Sequence, residues 1–107
     1  MTTYTNVSYA VKNVSTSGSS VTTVSSGTLA VSSLVLSNTS SSPITVNVYV
    51  ARSATNYYIV YQATVPVGGS LEAIQGNRII LQTSDALYVL ASAANSCDAW
   101  ASALSVV

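Results

Sequence analysis

Residues 35–50 read VLSNTSSSPITVNVYV. Apolar and polar residues alternate on both sides of a Ser-rich turn, the period of a half-buried strand. In ITVNVYVA (44–51), Ile44, Val46, Val48 and Val50 share one face, while Thr45, Asn47 and Tyr49 take the other. Strand 28–37 places Leu34 and Leu36 on a core face. Pro43 lacks an N–H donor and therefore stands at a strand start. The pattern reads as two neutral strands joined as a hairpin.

The same signals recur along the chain. SGSS (17–20), SSG (25–27), NTSSSP (38–43), RSATN (52–56), PVGG (66–69), QGN (75–77), TSD (83–85) and AANS (93–96) mark turns at short intervals. Val, Thr and Tyr, which suit a pleated surface, fill the stretches between them. The predicted strands are 4–11, 20–24, 28–37, 44–51, 57–65, 70–75, 78–82, 86–91 and 98–106. Eight or nine short strands with turns this frequent predict an all-β antiparallel sandwich, jelly-roll-like. Residues 1–20 form an N-terminal strand or arm with a loop, and 21–107 the sandwich, within one domain overall. The Ser/Thr tract at 15–26 reads as a flexible loop or extended arm. ASAANSCDAWASA (91–103) holds six alanines, and a helix competes there. AsnSer at 95–96 favours strand–turn–strand.

Composition limits function. The 107 residues suffice for one domain with its own core. Charged residues make up 6% against a usual ~25%, and residues 13–51 carry none. Lys12, Arg52 and Arg78 balance Glu72, Asp85 and Asp98. Three dispersed cations cannot grip a phosphate backbone or an anionic membrane surface, so neither nucleic acid nor membrane is an expected partner. The 20 Ser and 12 Thr hydrate the surface instead. Net charge of zero removes the repulsion that keeps proteins apart, so self-association is expected. The N-terminal residues lack a secretory pattern, and no apolar run reaches membrane-spanning length. Synthesis in a cytoplasm without the usual export is expected.

Chemistry has few residues to use. Without histidine there is no Ser-His-Asp or Cys-His system and no His-containing metal site. One cysteine, Cys97, forms no internal disulfide, and beside Asp98 it reads as a small buried hydrophobe. A carboxylate pair drawn from Glu72, Asp85 and Asp98 would be needed for glycoside hydrolysis. A calcium site would need Asp85 or Asp98 with Asn95 and carbonyls. The spacing favours neither, and the acids read as turn and cap residues. No catalytic, metal or cofactor site is expected.

Tyrosine carries the strongest signal. YYIVY (57–61) alternates so that Tyr57, Ile59 and Tyr61 share one face, and Tyr58 and Val60 the other. One reading is a core strand whose phenols reach the sandwich edge. The others are a subunit interface or a platform for sugar rings. Trp100 divides in the same way, with the core preferred. Thr45, Asn47, Tyr49, Tyr57, Tyr58 and Tyr61 are the candidate interface residues.

GGSLEAIQGNRIILQTSDALYVLASAANSCDAW (68–100) adds a resemblance. With LAVSSLVLSNTSSSPITVNVYV before it, the chain over about 21–107 resembles small β-sandwich virion proteins of tailed bacteriophages, the type common in phages of marine bacteria and cyanobacteria. The matching positions are Val65, Pro66, Gly68, Gly69, Ser70, Leu71 and Glu72, then Gly76, Ile79, Ile80 and Leu81, then Asp85. Pro43, Pro66, Gly68, Gly69, Gly76 and Asp85 are the structural turn residues. The family often has Gly-Asp where this chain has Ser84-Asp85, and often an acid in the last strand, where this chain ends Ser105-Val106-Val107. The resemblance implies a structural component of the virion and does not by itself distinguish head, neck, tail or fibre. The first expectation is a non-enzymatic head-surface decoration (cement) protein located in the virion. Its partners would be the major capsid protein or other virion proteins, and it would be a homo-oligomer, a trimer fitting three-fold lattice positions. A neck, tail or fibre component and a carbohydrate-binding module are the alternatives.

Overall fold

Alternation produces the expected strands, in a computed structural model that describes residues 2–74 and 78–107. They are β1 (Tyr4–Val11), β2 (Ser19–Thr23), β3 (Thr28–Asn38), β4 (Ile44–Arg52), β5 (Thr55–Val65), β6 (Ser70–Glu72), β7 (Ile79–Leu81), β8 (Ala86–Ala91) and β9 (Cys97–Val106). One sheet runs β1-β9-β3-β6, with β7 also pairing β3, and the other runs β2-β8-β4-β5. All the strand pairs are antiparallel. If β6 and β7 are taken as one interrupted edge, this is the eight-strand, doubly Greek-key order of a jelly roll.

The hairpin expected at 35–50 is not one. β3 and β4 lie in opposite sheets, so the Ser-rich turn is an arch across the sandwich. Both strands carry an apolar row that must face the same core, and placing them face to face buries both. Asn38, itself buried, holds the arch. Its Nδ2 donates to the carbonyls of Ser42 (2.9 Å) and Val65 (3.0 Å), and its Oδ1 accepts from the Ser40 amide and hydroxyl.

Period-two burial fills the space between the sheets. Val46 and Val48 of β4, Leu34 and Leu36 of β3, Leu87 and Val89 of β8, and Leu81 of β7 are fully buried. A bulge at Ser32 shifts the inward phase of β3 from Leu29 and Val31 to Leu34 and Leu36. Burying a Leu or Val side chain is worth about 1.5–3 kcal/mol, which makes this set the main source of stability.

The alanine-rich segment is strand–turn–strand. Cys97, Ala99, Ala101 and Ala103 all face inward, and that alternation overrides alanine's helical preference. Asn95 takes φ +56° in the turn, a left-handed value that Asn tolerates. The 15–26 tract is docked rather than loose. It contains β2, and Val21 and Val24 join the core beside Val14. β1 pairs with β9 from Tyr4↔Val106 to Val11↔Ala99 without a break.

The expected turn residues take defined places. Pro43 immediately precedes β4. The Gly69 amide donates to the Pro66 carbonyl (2.9 Å), with Gly68 at φ +70°, the position of a type II turn that needs glycine. Gly76 lies outside the described residues.

Candidate interaction surfaces

Each acid serves the chain's own backbone. Asp85 is buried. It receives both a side-chain hydrogen bond from Arg52 Nε (2.9 Å) and an ion pair with Nη2, and Oδ2 also accepts from the Gln82 amide (2.8 Å). The Arg52 guanidinium and that amide hold the Asp85 carboxyl below the usual carboxylate range, against the opposing effect of burial. Asp98 accepts from the Asn13 amide (3.0 Å) and from Lys12 Nζ (2.9 Å), which hold it low in the same way. Glu72 accepts from the Leu34 amide and the Ser33 hydroxyl, both at 3.1 Å. The acids act as caps in three separate places. Among the described residues no group of three or more His, Cys, Asp or Glu is arranged to hold a metal ion.

Cys97 is fully buried. Burial, reinforced by the neighbouring Asp98 charge, pushes its thiol up to about 11. It therefore remains a protonated thiol at neutral pH, which is a poor nucleophile.

The tyrosines form an organised surface. Tyr88 of β8 stacks on Tyr49 of β4, with ring centroids 5.3 Å apart and planes 6° from parallel. Tyr49 tilts against Tyr58 of β5 at 5.2 Å, and Tyr58 meets Tyr61 edge-on at 5.1 Å. Four rings thus cross the outer face of the four-stranded sheet in one row. Simple alternation placed Tyr61 with Tyr57, and that grouping fails. The β4–β5 register shifts between Val46 and Val48 and again between Val48 and Tyr49. These bulges return Tyr61 to the face of Tyr58. Tyr57, opposite Val50, lies instead on the sandwich flank near Ile79, Ile80 and Leu81.

Asn47 holds one bulge, its Oδ1 accepting the amide of Gln62, which sits at φ +51°. Thr45 is engaged through its backbone with Ser92. Of the expected interface residues, Tyr49, Tyr58 and Tyr61 converge, Thr45 and Asn47 support the strands, and Tyr57 stands apart. Tyr88 was missed. Its signal was the alternation of ALYVLA, legible only once β8 is known to neighbour β4 in register Tyr49↔Tyr88.

The row is only partly wet. Tyr58 and Tyr61 remain about half exposed or more (49% and 64%), whereas burial, then the neighbouring Tyr58 and Tyr88, push the Tyr49 phenol upward. The row offers aromatic rings and hydroxyls, the chemistry of a contact surface.

Trp100 is not in the core. It projects from the middle of the other sheet, 56% exposed, between Ala10 of β1 and Val35 of β3. Its inward neighbours Ala99 and Ala101 occupy the core face, so alternation leaves the indole no other side. A depression of about 260 Å³ beside it is mainly apolar, lined by Ala10, Val11, Val35 and Ala99, with Lys12, Ser37 and Asp98 adding polar groups.

No protein-family model matches the chain, and no curated protein is similar to it. It is similar in fold to a solved structure reported under the words "Bacillus endospore appendages form a novel family of disulfide-linked pili". The TM-score is 0.54 with 16% identity, over 96% of this chain and 85% of that one.

Proposed function

We propose that the chain is a non-enzymatic structural subunit that acts by packing against copies of itself and against neighbouring proteins of a larger particle. The observation that carries the reading is the row Tyr88–Tyr49–Tyr58–Tyr61, standing outward on a face without charge while all three acids are spent inside the chain. Large rigid aromatic rings give contact area at low entropic cost. The likeness to a pilus subunit supports assembly as the use of such a fold. The disulfide linkage of those pili does not carry over to Cys97, which is buried.

The sequence resemblance supports a tailed-phage virion as the particle without distinguishing head, neck, tail or fibre, and within it we propose decoration of the head surface as the role. Many equivalent weak contacts then act together, so each copy needs only modest affinity. The test is binding of the purified protein to preformed capsids. The expected result is saturable binding with little salt dependence, weakened by Tyr58→Ala with Tyr61→Ala. Co-purification with isolated tails and no capsid binding would move the role to neck, tail or fibre.

The exposed Trp100 beside a depression that Ser37 and the Lys12–Asp98 pair also line favours one second reading, a carbohydrate-binding surface. A glycan array probed with wild type and Trp100→Ala decides it, and no signal that depends on the indole would end it.

A further inference from the structure

A jelly roll leaves four sheet edges, and their protection here is unequal. β2 has five residues, with a register shift between Ser20 and Thr22. β5 has eleven, but two register shifts and the left-handed Gln62 disrupt it. β6 and β7 have three residues each. Short length and bulges are recognised ways of blocking edge-to-edge pairing. β1 differs from all of these. Its eight residues pair with β9 in unbroken register, and among the described residues no strand pairs with its other side. No charge or proline interrupts Tyr4–Val11. Lys12, just beyond it, is turned into an ion pair with Asp98. Along its middle the exposed side chains Asn6, Ser8 and Ala10 are small and leave the edge unshielded, and the one large exposed ring, Tyr4, stands at its start.

We propose that β1 is the docking edge for a second copy of this chain, the two β1 strands pairing antiparallel about a two-fold axis so that the five-stranded sheets of both copies become continuous. The proposal rests on the packing-subunit reading and names one surface for it. A second copy fits this edge because it brings the same uncharged, bulge-free strand, and a chain of zero net charge offers no long-range repulsion to the approach. Alternation fixes the register closely. Residues facing each other across the pair must lie on the same side of the sheet, so the axis falls at Val7 or at Ser8. Ser8 therefore stands on the axis or one residue from it. Edge pairing of this kind is two-fold, so a three-fold assembly would need a different surface, such as the tyrosine row.

The experiment is sedimentation equilibrium of wild type, Ser8→Lys, Ser8→Glu and their equimolar mixture, with circular dichroism to verify folding. Wild type is expected to reach twice the chain mass. Each variant should stay folded, with dimer affinity weakened about tenfold or more, because like charges meet across the axis. The mixture should recover the dimer. Asn6→Lys provides a second variant, with the same expectation when the axis is at Val7 and a weaker effect than Ser8→Lys when it is at Ser8. A wild type that stays monomeric to millimolar concentration overturns the proposal, as does a dimer indifferent to Ser8→Lys and Asn6→Lys. Neither result touches the packing-subunit reading, which fails separately if the protein neither self-associates nor binds any particle component.

Discussion

Gly27 and Gly68 offer a controlled comparison. Both have left-handed backbones, φ +71° and +70°, so a side chain at either costs about 1–2 kcal/mol in conformation alone. Their surroundings differ. A Cβ at Gly68 would meet nothing within 4 Å, whereas at Gly27 it would fall 2.2 Å from the Val106 carbonyl oxygen and 3.1 Å from Val107 Cα. Backbone cannot rotate away as a side chain can, so the end of β9 must move. That movement strains the pairing Thr28↔Val106 and the two hydrogen bonds joining Thr3 to Val107. At about 1 kcal/mol net for each bond, the extra cost is about 2 kcal/mol. Gly68→Ala should thus lose about 1 kcal/mol and Gly27→Ala about 3. Urea unfolding reads the difference directly. With a slope of about 1.5 kcal/mol/M, the two midpoints should separate by about 1.3 M. Equal midpoints would refute the placement of Gly27 beneath β9.

Other outcomes follow from the same geometry. Ser84 stands at φ +76° in the acidic turn, where the resembling family often has glycine, so Ser84→Gly should raise the urea midpoint by an amount worth up to about 1 kcal/mol. Asp85 and Asp98 have folded pKa values below their unfolded ones; their contribution is complete above the unfolded value of about 3.9 and is lost as pH falls through the folded values. Stability measured from pH 5 downward should therefore fall, and Asp85→Asn should flatten that fall, while an unchanged acid limb would argue against Asp85 as its source. Cys97 should react with an aromatic disulfide reagent orders of magnitude more slowly in the native protein than in urea, and equal rates would contradict its burial.

Much of the fold was legible because burial on one face imposes a period of two, and this chain follows it strictly in β4 and β9. Legibility ended where alternation broke. The bulges in β5 reassign Tyr61, and they depend on Asn47 of another strand reaching the Gln62 amide. Nothing local to YYIVYQ encodes that contact. The arch at 39–43 reads as a hairpin from sequence because a turn's composition does not say whether its strands pair or face each other. The decisive residue, Asn38, looked like one more polar residue of the turn. Residue type alone favours the core for Trp100, whereas the alternation of Ala99 and Ala101 places it outside.

β9 is the last strand of the sandwich to leave the ribosome, yet it lies between β1 and β3 at the centre of its sheet. Until Cys97–Val106 emerges, those two strands have no partner between them, and this half of the molecule cannot close. The pairing Tyr4↔Val106 spans nearly the whole chain, so folding must wait for a long-range closure and should be slow for a domain of this size. The delay works as a clock. The β1 edge proposed above as the docking edge becomes a properly twisted sheet margin only once synthesis of the sandwich is finished, so on that proposal incomplete chains would be kept from joining an assembly.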